Sequence, residues 1–300
     1  MAKPRYRALA REVASFDPWL LTAVLALCGV GLVMVLSASS VLAASRYHDP
    51  YHLFKRQCLS LGLGLGVMTL CRFLPLSFYR RLAYPALIAC LFLLALVLIP
   101  GLGHQAGGAT RWLGLGGFSL QPSEAAKLAL VLFLAYSMAK KGDKMADFSV
   151  GIVPHLIVGA ILIGLTLLQN DLGMAVILGL LLATMLFLGG ARLRHLLLLG
   201  ALAGPMILLM IFIAPYRLQR LATFLDPWGD PLDKGFQIIH SFLAFGSGGI
   251  IGQGIGSGRQ KLAYLPEPHT DFIFSVMAEE AGLIGVGLVI GLFLTVAWRG

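Results

Sequence analysis

Charge is what this sequence has least of. Only 12% of its 300 residues are charged, and its 14 carboxylates face 23 Lys and Arg. A soluble domain carries about twice that charged fraction. With 58% hydrophobic residues and a mean hydropathy of +0.85, the chain reads as an all-α polytopic membrane protein. A net charge of +9 would suggest nucleic acid in a soluble protein. Here the basic residues cluster between apolar runs, where orientation in a membrane accounts for them, and nucleic-acid binding is excluded. Cysteine is equally sparse. Cys28, Cys58, Cys71 and Cys90 lie in or beside apolar segments without Cys-x-x-Cys spacing, and read as small buried hydrophobes. The histidines are scattered, with only His48 and His52 close together, so no dedicated protein-built metal site is expected. No cleavable leader is evident, because the first apolar run follows a basic tail and is long enough to span.

Long apolar runs are what the chain has in abundance. Residues 1–18 form a polar, basic tail with Lys3, Arg5, Arg7 and Arg11. Eight spans are expected at about 19–43, 54–71, 82–99, 124–139, 150–168, 172–190, 196–214 and 271–297. Placing the N-terminus inside puts Arg72, Arg80 and Arg81, then Lys140, Lys141 and Lys144, then Arg192 and Arg194, and finally Arg299 on the cytoplasmic side. The opposite side receives His48 to His52, a loop at 100–123, the Gln169-Asn170-Asp171 turn and a long segment at 215–270. Gly62 and Gly66 have the small-xxx-small spacing that lets helix backbones approach closely.

The 215–270 segment is too long for a passive connection. It holds two Asp-Pro steps, Asp226-Pro227 and Asp230-Pro231, with Trp228 between them suited to a membrane interface, and Ile238 to Phe245 suits a short re-entrant or interfacial helix. Two glycine-rich stretches, Gly246 to Gly249 and Gly252 to Gly258, superficially resemble a phosphate cradle. They lack both the Gly-x-Gly-x-x-Gly register and a Gly-Lys-Ser/Thr ending. A hinge is one reading. The other is that these backbone amides, with Arg259 and Lys261, approach an anion such as a pyrophosphate.

The 100–123 loop contributes Arg111-Trp112 and leads into Gln121-Pro122-Ser123-Glu124. Pro122 suits the first turn of the fourth span. Glu124 and Lys127 then share a helical face and can pair, or Lys127 can face a cavity as a cation. Ser123 and Lys127 miss the Ser-x-x-Lys spacing of an acyl-transfer nucleophile. Asp171 suits a helix cap.

Asp271 is the residue best placed for chemistry. It stands at the outward start of the last span, next to Glu267 and His269. A general base needs substrate access, and partial desolvation at such a rim tunes a carboxylate for the task. Glu279 and Glu280 lie about 12 Å deeper at 1.5 Å per residue, too far to share its proton. Buried carboxylates in an apolar span call for partners. Structural pairing is the expectation for both, one of them with a cation such as Lys127.

Taken together, several motifs resemble one family. They are Asp226-Pro227-Trp228, Ala244-Phe245-Gly246-Ser247-Gly248-Gly249, Gln260-Lys261 with Tyr264-Leu265-Pro266-Glu267, and His269-Thr270-Asp271-Phe272-Ile273-Phe274. With Arg111-Trp112 and Gln121-Pro122-Ser123-Glu124-x-x-Lys127, they are similar to the SEDS proteins (shape, elongation, division and sporulation) along nearly the whole chain. The Trp228 and Gln260-to-Tyr264 wording and the Leu36-Ser37-Ala38-Ser39-Ser40 end of the first span fit the cell-division branch ahead of the elongation branch. Departures are Asn170 where the family usually has proline, Asp233 for a common glycine and His240 for a common glutamine.

The resemblance implies a transmembrane domain over 19–300 and a family total of ten spans, so that the last two would lie beyond this sequence. It implies a peptidoglycan glycosyltransferase that polymerises lipid II, the undecaprenyl-pyrophosphate disaccharide-peptide, on the outer face of the bacterial cytoplasmic membrane at the division septum. The family's essential aspartate falls on Asp271. Arg111, Lys127, Arg259 and Lys261 become candidates for stabilising the departing pyrophosphate, with Glu267 and His269 as further substrate-binding candidates. Glu124, Asp171, Glu279 and Glu280 would be structural partners. A divalent ion, Mg or Mn, could be held mainly by the pyrophosphate, with no built-in cofactor. Expected partners are a class B penicillin-binding protein transpeptidase, other division proteins and membrane lipids. Two other readings stand beside this one. A lipid II flippase would use the intramembrane charges as a path, and would be expected to show paired broken helices near the midplane. A non-catalytic scaffold would make Asp271 dispensable.

Overall fold

The computed structural model describes residues 17–106, 109–115, 118–261 and 270–300. The elements in order are α1 (Pro18–Tyr47), α2 (His52–Phe73), α3 (Leu76–Val97), β1 (Gly103–Ala106), β2 (Ala109–Leu115), β3 (Phe118–Leu120), α4 (Pro122–Lys141), α5 (Val153–Leu168), α6 (Leu172–Leu188), α7 (Leu193–Ile213), α8 (Pro215–Leu225), α9 (Phe236–Gly248) and α10 (Ile273–Arg299). A helix therefore stands at each of the eight expected spans. Among the described residues five helical segments are long and apolar enough to cross a membrane: α1, α3, Phe148–Leu168, α7 and α10. The other three fall short for visible reasons. Lys55, Arg56 and Arg72 sit in α2, four charged residues sit in α4, and α6 has only 17 residues.

The chain divides into two compact units, Met1–Leu70 with Ile211–Gly300, and Cys71–Met210. In the first unit α1 packs along α10 through Met34, Ala38, Val276, Met277, Ala278, Val286 and Val289. Asp17 caps α1 by accepting from Trp19 N and Leu20 N, and it also pairs with Arg299 at 3.0 Å. Gly62 and Gly66 do not serve as a packing face among the described residues, since no atom lies within 4 Å of where a Cβ would stand at either.

The second unit is cored by Leu87, Leu94, Leu130, Leu134, Leu162, Leu178 and Leu186, contributed by α3 to α6. Within it the expected 100–123 loop is folded as a three-stranded antiparallel sheet in the order β1-β2-β3. Glycines on both sides of short alternating runs hid these strands from a reading built on long apolar segments. Cys90 is buried here, and Cys28, Cys58 and Cys71 are half-buried free thiols.

The feature that organises the first unit is a break in α10. Gly282 takes φ 63° and ψ −165°, far from helical values. In an unbroken helix Leu283 and Ile284 would donate to the carbonyls of Glu279 and Glu280. Instead Gln253 N donates to Glu279 O at 2.9 Å and Gly254 N to Glu280 O at 3.0 Å. Leu283 N and Ile284 N donate to Gly249 O and Ile250 O at 3.0 and 3.2 Å. The segment after α9 thus inserts into the break and satisfies all four groups, which an apolar surround demands. Gly252, at φ +86°, faces Gly282 across this contact, and a Cβ on Gly282 would stand 2.4 Å from Gly252 N.

Gly282→Ala therefore combines a backbone conformation reserved for glycine, costing about 1–3 kcal/mol, with a backbone clash. It is expected to lower the melting temperature of the purified protein in detergent by several degrees or to prevent folding. Gly287→Ala, where a Cβ meets nothing within 4 Å, should melt like the wild type.

Candidate functional site

Two polar constellations emerge, one in each unit. In the first, α10 carries Glu279 and Glu280 on the turn just before the break, and both are 1% exposed. Nothing apolar can host two such carboxylates unless donors replace water. The donors come from the glycine-rich stretch. Arg259 N donates to Glu279 Oε1 at 2.8 Å, and Gln260 N lies 3.2 Å from Glu279 Oε2. Gly256 N donates to Glu280 Oε2 at 3.0 Å. Lys261 Nζ donates to Glu280 Oε1 at 2.6 Å, and Ser37 Oγ of α1 donates to the same carboxylate at 2.7 Å.

The stretch does cradle an anion through its backbone, and that anion belongs to the protein itself. The hinge reading is corrected, because these residues are fastened at both the backbone and the carboxylates. The Lys127 partnership expected for Glu279 or Glu280 is corrected too. Lys261 takes that place, 19 residues before Glu280 in sequence, and Lys127 binds Glu124 one turn away at 2.8 Å in a half-exposed pair. Lys261 is consequently no open cation. Its side chain is 5% exposed and engaged by a carboxylate that is fully covered.

Arg259 is exposed while its backbone is held. Asp271 is exposed as well, two residues ahead of α10, where the free N–H groups of the helix start favour a negative charge. It is thus more open than a half-desolvated rim position. Glu267 and His269 lie outside the described residues. Neighbouring side chains lock α9 onto the same region: Ser241 Oγ is 2.6 Å from Ser275 Oγ, and His240 Nδ1 is 2.8 Å from Gln260 Oε1.

In the second unit, alternation along β2 puts Ala109, Arg111 and Leu113 on one face, and Ala109 and Leu113 are buried. Arg111 reaches Asp171 on that side, Nη1 to Oδ2 3.3 Å. Asp171 also caps α6 by accepting from Met174 N at 3.0 Å. Asn170 before it takes φ +61°, which proline cannot adopt, so this turn differs from one built on proline. Gln169, 1% exposed, donates from Nε2 to Leu94 O at 3.0 Å and ties the turn to α3.

The residues that sequence reasoning missed are Ser37 and Gln169. Ser37 sits in a hydroxyl-rich patch at the end of an apolar run, Ser37, Ser39 and Ser40, and that was the available signal. Nothing in the sequence marks Gln169 as buried.

Removal of Arg111 would leave Asp171, 8% exposed on its side chain, without its cation. With the guanidinium itself about one-third exposed, screening limits the loss, and Arg111→Ala is expected to cost about 1–3 kcal/mol. Lys127→Ala, breaking a pair whose carboxylate is more than half exposed, should cost about 0–1 kcal/mol. Thermal melts of the two variants side by side check the difference.

Comparison with known proteins places these constellations in context. Residues 18–300 match the family of FtsW, RodA and SpoVE, described as cell cycle protein. The probable peptidoglycan glycosyltransferase FtsW of Geobacter sulfurreducens is 46% identical over 290 residues, 97% of this chain and 78% of that protein. Stage V sporulation protein E of Bacillus subtilis is 40% identical over 97% of this chain and 80% of that protein. Among solved structures, a peptidoglycan synthase complex described as coordinating polymerization and crosslinking matches with TM-score 0.73 and 35% identity, covering 95% of this chain and 77% of that one. The rod shape determining protein RodA of Thermus thermophilus matches with TM-score 0.66 and 31% identity over 95% of this chain and 74% of its own.

Proposed function

Because the chain belongs to the FtsW, RodA and SpoVE family of cell cycle proteins, we infer that it is a multi-pass membrane peptidoglycan glycosyltransferase. The observation that carries this is the similarity to FtsW proteins over almost the whole chain, at up to 46% identity. The same similarity favours the cell-division branch over elongation.

The substrate proposed is lipid II, and Asp271 is proposed as the general base. Exposure at the start of α10 lets it accept the proton of the 4-hydroxyl of one lipid-linked sugar as that oxygen attacks the anomeric carbon of another. The pyrophosphate leaves from the opposite face. An α-linked donor giving a β-linked product means inversion, which needs one base and no covalent glycosyl-enzyme. Arg259, exposed in the same unit, is the candidate cation for the leaving pyrophosphate, a role that commonly supplies a large share of catalysis. A divalent ion, Mg or Mn, is proposed to assist while held mainly by the pyrophosphate oxygens.

The proposed setting is the cytoplasmic membrane at the septum, N-terminus inside, working beside a class B penicillin-binding protein. The synthase complex among the structural relatives supports a transpeptidase partner.

One observation favours the flippase as a second reading: α10 is a broken apolar helix with two buried carboxylates at the break. Its freed backbone groups, however, are filled by residues 249–254 instead of facing a path.

Glycan polymerisation from purified lipid II tests both, with and without the partner transpeptidase. Asp271→Asn is expected to lose about 100-fold or more of wild-type activity while melting normally. Full polymer from the folded variant would remove Asp271 from the mechanism. Lipid II crossing vesicles with no polymer from either protein would establish the transporter.

A further inference from the structure

We infer that Lys261 and Glu280 are positioning residues for Asp271, acting through the backbone around it without touching substrate. This rests on the glycosyltransferase reading above and assigns Lys261 a different role from leaving-group stabilisation. An ammonium has three N–H donors. Those of Lys261 go to Glu280 Oε1 at 2.6 Å, Gly256 O at 2.7 Å and Ser37 Oγ at 2.8 Å. None remains for a phosphate oxygen. The Glu280 carboxylate is equally occupied, taking Lys261, Ser37 and the Gly256 N–H.

The placement of this pair along the chain gives it its role. In sequence Lys261 lies ten residues before Asp271, and Glu280 lies nine residues after it, in the half of α10 before the break. The ion pair therefore joins the chain on one side of Asp271 to the helix on the other. Glu279 adds a second tie by accepting from Arg259 N and Gln260 N. Asp271 stands two residues ahead of the half of α10 that these ties hold, so where its carboxylate meets a sugar hydroxyl depends on where that half is fixed. Misplacement by about 1 Å can cost a factor of about 100 in rate.

The physical asymmetry of buried pairs supplies the test. Removing one partner strands a charge, whereas removing both can be nearly neutral provided hydrogen bonds survive. Lys261→Gln, Glu280→Gln and the double variant, in the full chain, are assayed for lipid II polymerisation kinetics, with amide hydrogen exchange read over residues 252–261. Each single is expected to lose about tenfold or more in kcat with KM within about twofold of wild type, and to exchange faster across that stretch. The double should recover most of both losses, because two glutamines can still satisfy Gly256 and Ser37.

A KM raised several-fold by Lys261→Gln and by the double, with Glu280→Gln kinetically normal, would put Lys261 on the substrate and overturn the inference. Unchanged kcat in both singles would overturn it as well. Should the singles fail to fold, the double alone decides: near-normal KM and kcat within about tenfold support positioning, and a raised KM refutes it. An inactive wild type would instead sink the glycosyltransferase reading, which separates the two failures.

Discussion

Two adjacent carboxylates inside an apolar helix are tolerated only where other groups replace the water they have lost, and that requirement shapes the whole first unit. Glu279 and Glu280 need donors at the level where α10 would bury them among hydrocarbon-like side chains. The chain supplies them by turning back after α9, entering the gap at Gly282 and presenting backbone N–H groups together with Lys261. The break in α10, the glycines around it and the hydroxyl of Ser37 are all parts of one solution.

The second unit answers a smaller version of the same problem with different materials. Arg111 arrives on a β-strand instead of a loop, and Asp171 splits its capacity between the guanidinium and the first turn of α6. A short sheet is a stiff way to deliver one long side chain, because strand alternation fixes which face Arg111 takes. Its neighbour Gln169 holds the turn to α3 from the inside.

Most of the helical plan was legible in the sequence, since it depends on runs of about 20 apolar residues and on the basic clusters between them. Asp171 as a cap and Glu124 with Lys127 as a pair were legible as well, both being local relations within one helix turn. What escaped was long-range. The strands between Gly103 and Leu120 are too short and glycine-broken to stand out by period. The Lys261 partnership with Glu280 spans 19 residues and depends on the break at Gly282, which looks in sequence like any glycine in an apolar run. Of the two readings the glycine-rich stretch allowed, a hinge and a cradle for an external anion, neither anticipated that its amides would hold the protein's own carboxylates, of which composition carries no sign.

Holding Glu279 by the main-chain N–H groups of Arg259 and Gln260 also separates what that stretch displays from how it is fastened. A carboxylate bound to N–H groups is blind to the side chains those residues carry. Although Gln260 also meets His240 and Arg259 keeps its own proposed role, the hold on Glu279 does not depend on either side chain. Only proline, which has no N–H, or a change in residue count that shifts the register would break it. The stretch behaves as a fixed mount whose grip on Glu279 is independent of the side chains it displays.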